Sequence, residues 1–435
     1  MTNSNSKSNG AKNFLFVSWI ALNGDLAWKV KKDGHNVKYY IDDKEEADVY
    51  DGLLEKVDKW QDYIDWADLI IFDDTGFGEE AEKLRKKGKL VIGGTIYTDR
   101  TEEDREFGQG EMKKFGMNIL PNYNFSNFDE AIEFLRQNPG RYVFKPNGKA
   151  ADEKNLLFLG EEEDGKDMIE ILEDNKDFLS SKIESFQLQK FVSGVEIAVG
   201  AFFNGKKFIH PVNINFEHKR MFPGDQGPFT GDMGALMYWS APNMIYNNTL
   251  LKMEKVLAEH GYVGYYDINC IVNGRGIYPL EFTARFGYPT ISTQVEGILE
   301  PIGEFLLKLA RGEDFEIRTK KGFQVGVVLA VPPYPFYNKE IFSLYKDSSI
   351  LFKNGTNMEG INWGDVKMIN GVLKLAGSSG YALIVTGSGI TVEDARRQAY
   401  NRIKNIRLHD MFYRVDIGTR WFHDSDKLQS WGYIQ

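Results

Sequence analysis

Hydrophobic runs alternate with amphipathic segments over the first hundred residues of the chain. The apolar runs predict four short strands, at residues 14–17, 36–41, 68–72 and 89–92. Residues 25–32 have the pattern of a helix that Gly34 ends. Strands and helices that alternate at this spacing predict a doubly wound parallel sheet. The polar, charged stretch that follows, residues 98–112, is predicted to be a loop or a hinge.

The pattern changes after about residue 116. Asn127 is placed to cap a short helix, and from residue 188 onward strand-like segments dominate. Two of these segments, at 265–272 and 276–282, flank a tight turn. The last part of the chain is β-rich and then helical, with Thr391 as the helix cap.

These changes predict a multi-domain chain of mixed class, α/β at the start and α+β afterwards. Its predicted parts are a disordered tail (1–13), an N-terminal α/β domain (14–115), a central domain (116–140 and 189–322), a small mobile lobe (141–188) and a C-terminal β-rich domain (323–435).

Composition narrows the functional classes. The 435 residues include 53 Lys and Arg against 63 Asp and Glu, a formal net charge of −10. An acidic chain without a dense basic run is a poor candidate for binding nucleic acid or an anionic membrane. The one cysteine, Cys270, excludes an internal disulfide and a multi-cysteine zinc site. No apolar run approaches the roughly 20 residues of a membrane span, and the polar start lacks a secretory signal. We therefore expect a soluble, cytoplasmic protein.

Two carboxylates on adjacent predicted strands form the first candidate site. Asp267 and Glu281 flank the turn between their strands, and facing carboxylates can hold Mg²⁺ together with phosphate oxygens and water. Arg285 follows Glu281 by four residues and could approach charge near such a metal. The alternative is that Asp267 caps a turn while Glu281 pairs with Arg285 at a solvated edge. Spacing alone leaves both interpretations open.

Lys145 and a glycine-rich loop are further candidates. Lys145 ends a predicted strand just before Pro146-Asn147-Gly148, where a lysine can meet nucleotide phosphates. The spacing of a Walker A motif is absent, and an ordinary surface lysine is the alternative. The loop 217–234 contains His218, Asp225 and Asp232 among its glycines. Long loops of this kind are usually functional, although a surface loop without a function could have the same sequence pattern.

Four segments resemble the glycinamide ribonucleotide synthetase family of ATP-grasp enzymes. The loop EHKRMFPGDQGPFTGDMGA is similar to the family's DHKR…DTGPNTGGMG, and EFTARFGYPT is similar to EFNCRFGDPE. KPNGKAADEKN resembles the nucleotide-clamp segment KADGLAAGKG, and FYRVDIGTRW resembles FRKDIGWR. The resemblance extends from about residue 14 to 420. It implies an ATP-grasp fold behind an N-terminal doubly wound parallel-sheet domain, with a C-terminal β-rich domain.

The resemblance also implies roles for particular residues. ATP and Mg²⁺ would be the cofactors. The residues expected to bind ATP are Lys145 and Lys154 on the phosphates, Gln189, Lys190 and Phe191 on adenine through backbone groups, and Glu196 on the ribose. The metal ligands would be Asp267 and Glu281. The catalytic residues would be Lys154, Arg285, which would neutralise charge on the transferring phosphoryl group or the acid, and Asp225, which would bind the amino group of glycine.

The departures from the family concern the amine substrate. The family's G-G-R-E-H phosphate loop is replaced by VSWIALNGDLAW, and its G-P-E loop by DDTGFGEE, which brings carboxylates where a phosphate should sit. Thr283 replaces a metal-side asparagine and is a poorer Mg²⁺ ligand.

Three functions stay open: a ligase joining glycine or another small amino acid to a different amine, phosphoribosylamine–glycine ligase itself, and a non-catalytic nucleotide-binding protein. The expected partners are ATP, a small amino acid and an amine acceptor, in a monomer or homodimer.

Overall fold

The computed structural model describes residues 10–151 and 156–434. Most of the predicted tail, residues 1–9, lies outside these ranges. The first unit contains β1 (Asn13–Ser18), α1 (Gly24–Lys32), β2 (Asn36–Ile41), β3 (Glu55–Lys56), β4 (Leu69–Phe72), α2 (Gly78–Lys86), β5 (Val91–Ile92), α3 (Ile96–Glu103) and α4 (Arg105–Lys114). Its strands form a parallel sheet in the order β3-β2-β1-β4-β5. The predicted doubly wound parallel sheet is confirmed.

The prediction of a loop at 98–112 was wrong, because this stretch forms most of α3 and α4. The Thr95 side chain accepts the N–H of Thr98 at the start of α3, and Asp104 accepts the N–H of Phe107 at the start of α4. Both caps satisfy backbone donors that the helix itself leaves free. Within α3, Glu102 pairs with Arg285 and accepts the N–H of Ala284, so this part of the polar stretch makes a contact between domains.

The second unit is a small lobe with its own sheet. Its described elements are β6 (Asn122–Phe125), α5 (Phe128–Gln137), β7 (Tyr142–Pro146), β8 (Phe158–Leu159), α6 (Lys166–Asp174), α7 (Lys176–Lys182) and β9 (Phe186–Lys190). The strand order is β6-β9-β7-β8. The predicted cap is confirmed, since the Asn127 side chain accepts the N–H of Asp129 at 2.8 Å.

The lobe begins earlier in the chain than the predicted boundary at residue 141. Strand β6 pairs with β9, and Ile132 and Leu135 of α5 pack in one apolar cluster with Phe144 and Phe186. Residues 122–137 therefore belong to the lobe rather than to the central sheet, whereas Met117 packs in the main core. The physical reason is a long-range strand pairing, which the local pattern does not contain.

The central and C-terminal parts share one sheet. Between residues 192 and 322, all described, the elements are β10 (Val195–Asn204), β11 (Phe208–Glu217), β12 (Arg220–Phe222), β13 (Gln226–Phe229), β14 (Gly234–Ser240), α8 (Met244–Asn248), α9 (Glu254–Glu259), β15 (Val263–Asn273), β16 (Gly276–Thr283), α10 (Thr290–Gly297) and α11 (Ile302–Ala310). They are followed by β17 (Phe323–Ala330), α12 (Lys339–Ser343), β18 (Leu351–Phe352), β19 (Ile361–Trp363), β20 (Val366–Ile369), β21 (Val372–Leu375), β22 (Tyr381–Gly389), α13 (Val392–Ile403), β23 (Ile406–Arg407) and α14 (Trp421–Ser430).

The large sheet has the strand order β16-β15-β10-β11-β14-β17-β22-β19. Strand β17 pairs antiparallel with β14, so the predicted boundary at 322/323 cuts through a continuous sheet. The Thr391 cap of α13 is confirmed, with its side chain accepting the N–H of Asp394. Phe16, Tyr266 and Val385 belong to a single apolar core that joins the first unit to this sheet. In the ranges that the structure describes, no helix is long and apolar enough to cross a membrane.

Candidate active site

One face of the large sheet is polar where β10, β11, β15 and β16 run side by side. Asp267 lies opposite Thr283, and Asn269 lies opposite both Glu281 and Ala198. Residues two apart on a strand share a face. The side chains on this polar face are therefore Glu196, Asn213, Asn215, Glu217, Asp267, Asn269, Glu281 and Thr283. The predicted metal ligands do lie on paired strands, in diagonal rather than directly facing positions.

A lysine occupies the middle of this face. The Nζ of Lys219 lies 3.3 Å from Oε1 of Glu196, 3.4 Å from Oε2 of Glu217 and 3.5 Å from Oε1 of Glu281. Burial alone would lower its pKa, but these three carboxylates raise the pKa of Lys219 well above its usual value. Sequence analysis assigned Lys219 no role of its own, because its carboxylate neighbours come from three separate strands.

The polar face suits a magnesium ion. Burial, with the charge of Glu217 added, raises the pKa of Asp267 well above the usual range of a carboxyl group. Oδ1 of Asp267 and Oδ1 of Asn215 are both buried without a hydrogen-bond partner. Such orphaned oxygens mark a place for a polar or cationic ligand, and oxygen donors are what Mg²⁺ prefers. Among the described residues no three His, Cys, Asp or Glu side chains converge on one point. An ion held by Asp267 and Glu281 would therefore take its other ligands from phosphate and water.

The small lobe and α4 bring two cations to the same face. Burial and the charge of Arg105 lower the pKa of Lys145 to about 8, while Glu281 and Glu196 act in the opposite direction. Arg105 donates from Nη1 to the carbonyl oxygen of Pro146 at 2.9 Å, just beyond Lys145 on the lobe. Two cations above a carboxylate-lined face form a site that favours phosphate groups. Lys154, predicted to assist them, lies outside the described residues.

Backbone groups near the predicted adenine site are already used in the lobe. The N–H of Lys190 donates to the carbonyl oxygen of Pro121 at 2.8 Å. The N–H of Phe191 donates to the carbonyl oxygen of Arg141 at 2.9 Å. The Arg141 guanidinium also lies 3.8 Å from the centre of the Phe191 ring. In this conformation the predicted adenine contacts cannot come from these two N–H groups. The buried Gln189 beside them pairs with both neighbouring strands.

The glycine-rich loop folds into a hairpin that the C-terminal segment holds. Strands β12 and β13 pair, and Asp225 sits at their turn with a φ of 54°. Its Oδ1 accepts a hydrogen bond from Nη1 of Arg414 at 2.9 Å. Arg414 is 1% exposed and also donates to the carbonyl oxygen of Arg220 and to Asp416. Asp225 is itself 45% exposed, so its carboxylate can still meet a ligand.

His218 lies at the base of this hairpin and is buried. Burial, with the charges of Arg414 and Arg420, lowers the pKa of His218 to about 3, so the ring is neutral. Its Nε2 accepts the N–H of Gly418 at 3.3 Å, which ties the loop to the C-terminal motif. The similarity of FYRVDIGTRW to the family motif was the signal that could have identified Arg414 as a site residue.

Arg285 points towards the N-terminal unit. Its Nε lies 2.9 Å from Oε1 of Glu102 and 3.0 Å from Oδ1 of Asp74. The charges of Glu102 and Asp74 raise the pKa of Arg285 although burial alone would lower it. The charge of Arg285 also acts on Asp267. Arg285 therefore stands between the polar face of the sheet and the strand ends of the N-terminal unit.

Comparisons with known proteins agree with this architecture. Residues 103–291 match the phosphoribosylglycinamide synthetase, ATP-grasp (A) domain, and residues 324–420 match the phosphoribosylglycinamide synthetase, C domain. The phosphoribosylamine–glycine ligase of Clostridium acetobutylicum is 26% identical over 422 residues, covering 90% of this chain and 96% of that protein. The enzyme of the same name from Listeria innocua is 28% identical over 340 residues, covering 73% of this chain and 76% of that protein.

Solved structures show the same fold. The phosphoribosylamine–glycine ligase of Thermotoga maritima superposes with a TM-score of 0.71 at 22% identity, covering 93% of this chain and 100% of that one. The biotin carboxylase domain of Hydrogenobacter thermophilus 2-oxoglutarate carboxylase, solved with MgADP, gives a TM-score of 0.66 at 12% identity, covering 98% of this chain and 99% of that one.

Proposed function

Because this chain belongs to the ATP-grasp ligases and carries both matched domains of phosphoribosylglycinamide synthetase, we propose that it activates a small amino acid, glycine first among them, and joins it to an amine. The enzyme is an ADP-forming carboxylate–amine ligase that makes a C–N bond and uses ATP with Mg²⁺. This sets aside a non-catalytic nucleotide-binding protein. A cytoplasmic location and a monomer or homodimer stay predictions.

The observation that supports the proposal most is the meeting of three parts of the chain at one polar face. Lys145 comes from the lobe, Arg105 from α4, and Asp267 and Glu281 from the sheet. The hairpin that carries Asp225 begins directly after Lys219, whose ammonium lies on that face. In the proposed site, Lys145 and Arg105 would bind the phosphates, Asp267 and Glu281 would supply oxygen ligands, and Asp225 would meet the amino group.

The chain's residues suit phosphoryl transfer to a carboxylate. Mg²⁺ held by Asp267 and Glu281 would neutralise charge on the phosphate oxygens. Lys145 and Arg105 would bind the phosphates and hold the γ-phosphoryl group in line with the attacking carboxylate oxygen. Asp225 would hold the ammonium of the amino acid. The lobe would close over the acyl phosphate and exclude water, which would otherwise hydrolyse it.

The amide bond forms in the second step. The amine nitrogen attacks the acyl carbon, the C–N bond forms, and the C–O bond to phosphate breaks. Hydroxylamine can replace the acceptor and trap an acyl phosphate as a hydroxamate. We expect hydroxamate formation that requires Mg²⁺, ATP and a small amino acid. Failure of every small amino acid to give hydroxamate would contradict the proposal.

Phosphoribosylamine–glycine ligase itself is the second candidate. It is favoured by the name of the relatives and by the 90% of this chain that the Clostridium acetobutylicum enzyme covers. Assay with glycine and phosphoribosylamine, formed in situ from ribose 5-phosphate and ammonia, tests it directly.

A further inference from the structure

The start of helix α1 is filled by the protein's own groups. Asp73 accepts the N–H of Asn23 at 3.2 Å, and Asp25 accepts the N–H of Leu26 at 2.8 Å. A Cβ added to Gly24 would lie 1.9 Å from the Tyr50 ring, so that ring occupies the space beside the glycine. A phosphate at a helix N-terminus needs open backbone amides. Here carboxylates and an aromatic ring take that space.

Buried carboxyl groups are prominent among the ionisable groups of this region. Asp25 and Asp73 are buried, and Asp73 makes no ion pair with any described residue. Burial and the charge of Asp74 raise the pKa of Asp73 to about 7. Arg285 is already paired with Asp74 and with Glu102. Lys29 is the other nearby cation, and its charge acts on Asp25.

Two other charged residues at these strand ends point away from the start of α1. Arg100 pairs with Asp104 and lies 4.0 Å from the centre of the Phe107 ring, on the exposed side of α3. Glu79 pairs with Lys83 along the outside of α2. Neither side chain can add charge to the start of α1, so Arg100 does not supply the cation that a phosphate would need.

Tyrosines surround the buried carboxylates. The rings of Tyr39 and Tyr50 are 5.7 Å apart, and those of Tyr288 and Tyr381 stack at 4.6 Å. Burial raises the pKa of all four hydroxyls, and the charge of Asp25 contributes to each. All four rings therefore lie within electrostatic reach of one carboxylate. We call this group the acidic tyrosine cluster; its members are Asp25, Asp73, Tyr39, Tyr50, Tyr288 and Tyr381.

Several polar atoms of the cluster have no partner. They are the hydroxyls of Tyr39, Tyr288 and Tyr381, Oδ1 of Asp73 and, beside them, Oδ1 of Asn23. Tyr39 and Asn23 are fully buried, and Asp73 is 1% exposed. Buried polar groups are normally paired with protein, water or ligand. Oxygen atoms without a partner, beside carboxyl groups that form no ion pair with any described residue, favour a ligand that donates hydrogen bonds and carries positive charge.

We propose that the acidic tyrosine cluster is the acceptor site, and that the acceptor is a primary amine without a phosphate group, bound as a cation. This rests on the ligase function proposed above. Asp25 accepts a hydrogen bond from Ser292 of α10, which begins five residues after Arg285. Arg285 contacts Asp74 on this side and acts on Asp267 on the other. The cluster therefore adjoins the place where the acyl phosphate forms.

The proton balance is consistent with this site. An ammonium must lose one proton before its nitrogen can attack the acyl carbon. The free Oδ1 of Asp73 can accept that proton, and phosphate leaves with the electron pair of the broken C–O bond. The second proton departs from the new amide nitrogen to water. The overall reaction consumes the carboxylate, ATP and the amine, and releases ADP and phosphate.

The test compares acceptors on the full-length enzyme. With the amino acid that gives most hydroxamate, amide formation is measured with 1,3-diaminopropane, ethanolamine, ammonia and phosphoribosylamine. We expect the unphosphorylated amines to be used with higher kcat/KM than phosphoribosylamine. Asp73→Asn should reduce the ratio of kcat/KM for diaminopropane to that for phosphoribosylamine about tenfold, since one charge near the ligand is removed. Asp65→Asn, at a side chain 98% exposed on the same unit, should keep the wild-type ratio.

A preference for phosphoribosylamine, or an unchanged ratio in Asp73→Asn, would overturn the inference. Calorimetry without ATP separates this failure from failure of the ligase function. Diaminopropane should bind the wild-type protein and ribose 5-phosphate should not. The opposite result would refute the acceptor site even where no hydroxamate forms.

Discussion

The Nε of Arg285 donates to Oε1 of Glu102 at 2.9 Å, and this bond joins the end of β16 to helix α3 of the N-terminal unit. Glu102 also accepts the N–H of Ala284 at 2.6 Å, so one carboxylate holds two consecutive residues. The strand that carries Glu281 is thereby fixed against the unit proposed to bind the acceptor. One ion pair therefore links the proposed metal site to the proposed acceptor site.

Replacing Glu102 with Gln should therefore lower the stability of the folded protein. Arg285 would keep only Asp74, and we expect a loss of about 2–4 kcal/mol in the free energy of unfolding, as for other broken buried pairs. Urea unfolding followed by tryptophan fluorescence measures it. Glu259→Gln, at an exposed pair with Lys255, is the matched control and should stay within about 0.5 kcal/mol of wild type. Equal stability of the two variants would show that the Arg285 contact contributes little.

Glu281→Gln should remove most Mg²⁺-dependent turnover. The substitution keeps the shape of the side chain but removes one charge from the expected metal site. We expect hydroxamate formation at saturating ATP to fall by about a hundredfold or more, with partial recovery at high Mg²⁺. Wild-type turnover at ordinary Mg²⁺ concentrations would show that Glu281 is not a metal ligand.

ATP binding should weaken as the pH rises through about 8. Burial and the charge of Arg105 lower the pKa of Lys145 to about 8. The side chain is therefore mostly protonated and charged at pH 7, and it loses this charge as the pH rises above 8. At pH 9 about one tenth of the molecules keep this charge, and we expect KM for ATP to rise roughly tenfold between pH 7 and pH 9. Lys145→Arg, which stays charged over this range, should have a flat profile. A similar rise in that variant would assign the effect to another group.

Arg414→Met should loosen the hairpin that carries Asp225. It removes the hydrogen bonds of Arg414 to Asp225, to Asp416 and to the Arg220 carbonyl. Since both carboxylates are partly exposed, we expect a loss of about 1–3 kcal/mol in stability. KM for the amino acid should rise more than KM for ATP. Arg397→Met removes an exposed pair with Asp394 and serves as the control.

The lobe should become more protected from hydrogen exchange when a non-hydrolysable ATP analogue and Mg²⁺ bind. The apolar cluster of the lobe is separate from the main core. Arg105 contacts the lobe at the carbonyl oxygen of Pro146. We expect slower exchange in β7 and in the turn after it, with α14 unchanged. Unchanged exchange in the lobe with a tightly bound analogue would contradict closure.

Local patterns sufficed for the elements whose hydrogen bonds close within a few residues. Helix α1, strand β2 and the caps Asn127 and Thr391 follow from apolar spacing and from side chains that bond to nearby backbone. The stretch 98–112 was wrongly predicted as a loop although its helix caps are local, because charged residues such as Glu102 bind partners far along the chain, here Arg285. The lobe boundary at 141 failed because β6 finds its place only by pairing with β9.

By itself, the sequence determined the fold class, the neighbouring strands of Asp267 and Glu281, and the family resemblance. The tertiary structure alone decided that Lys219 stands among three carboxylates, that Arg105 joins Lys145, and that Arg414 holds Asp225. Electrostatic interaction depends on distances of a few ångströms between side chains, and only the packed chain brings residues 189 positions apart, as Asp225 and Arg414 are, within that distance.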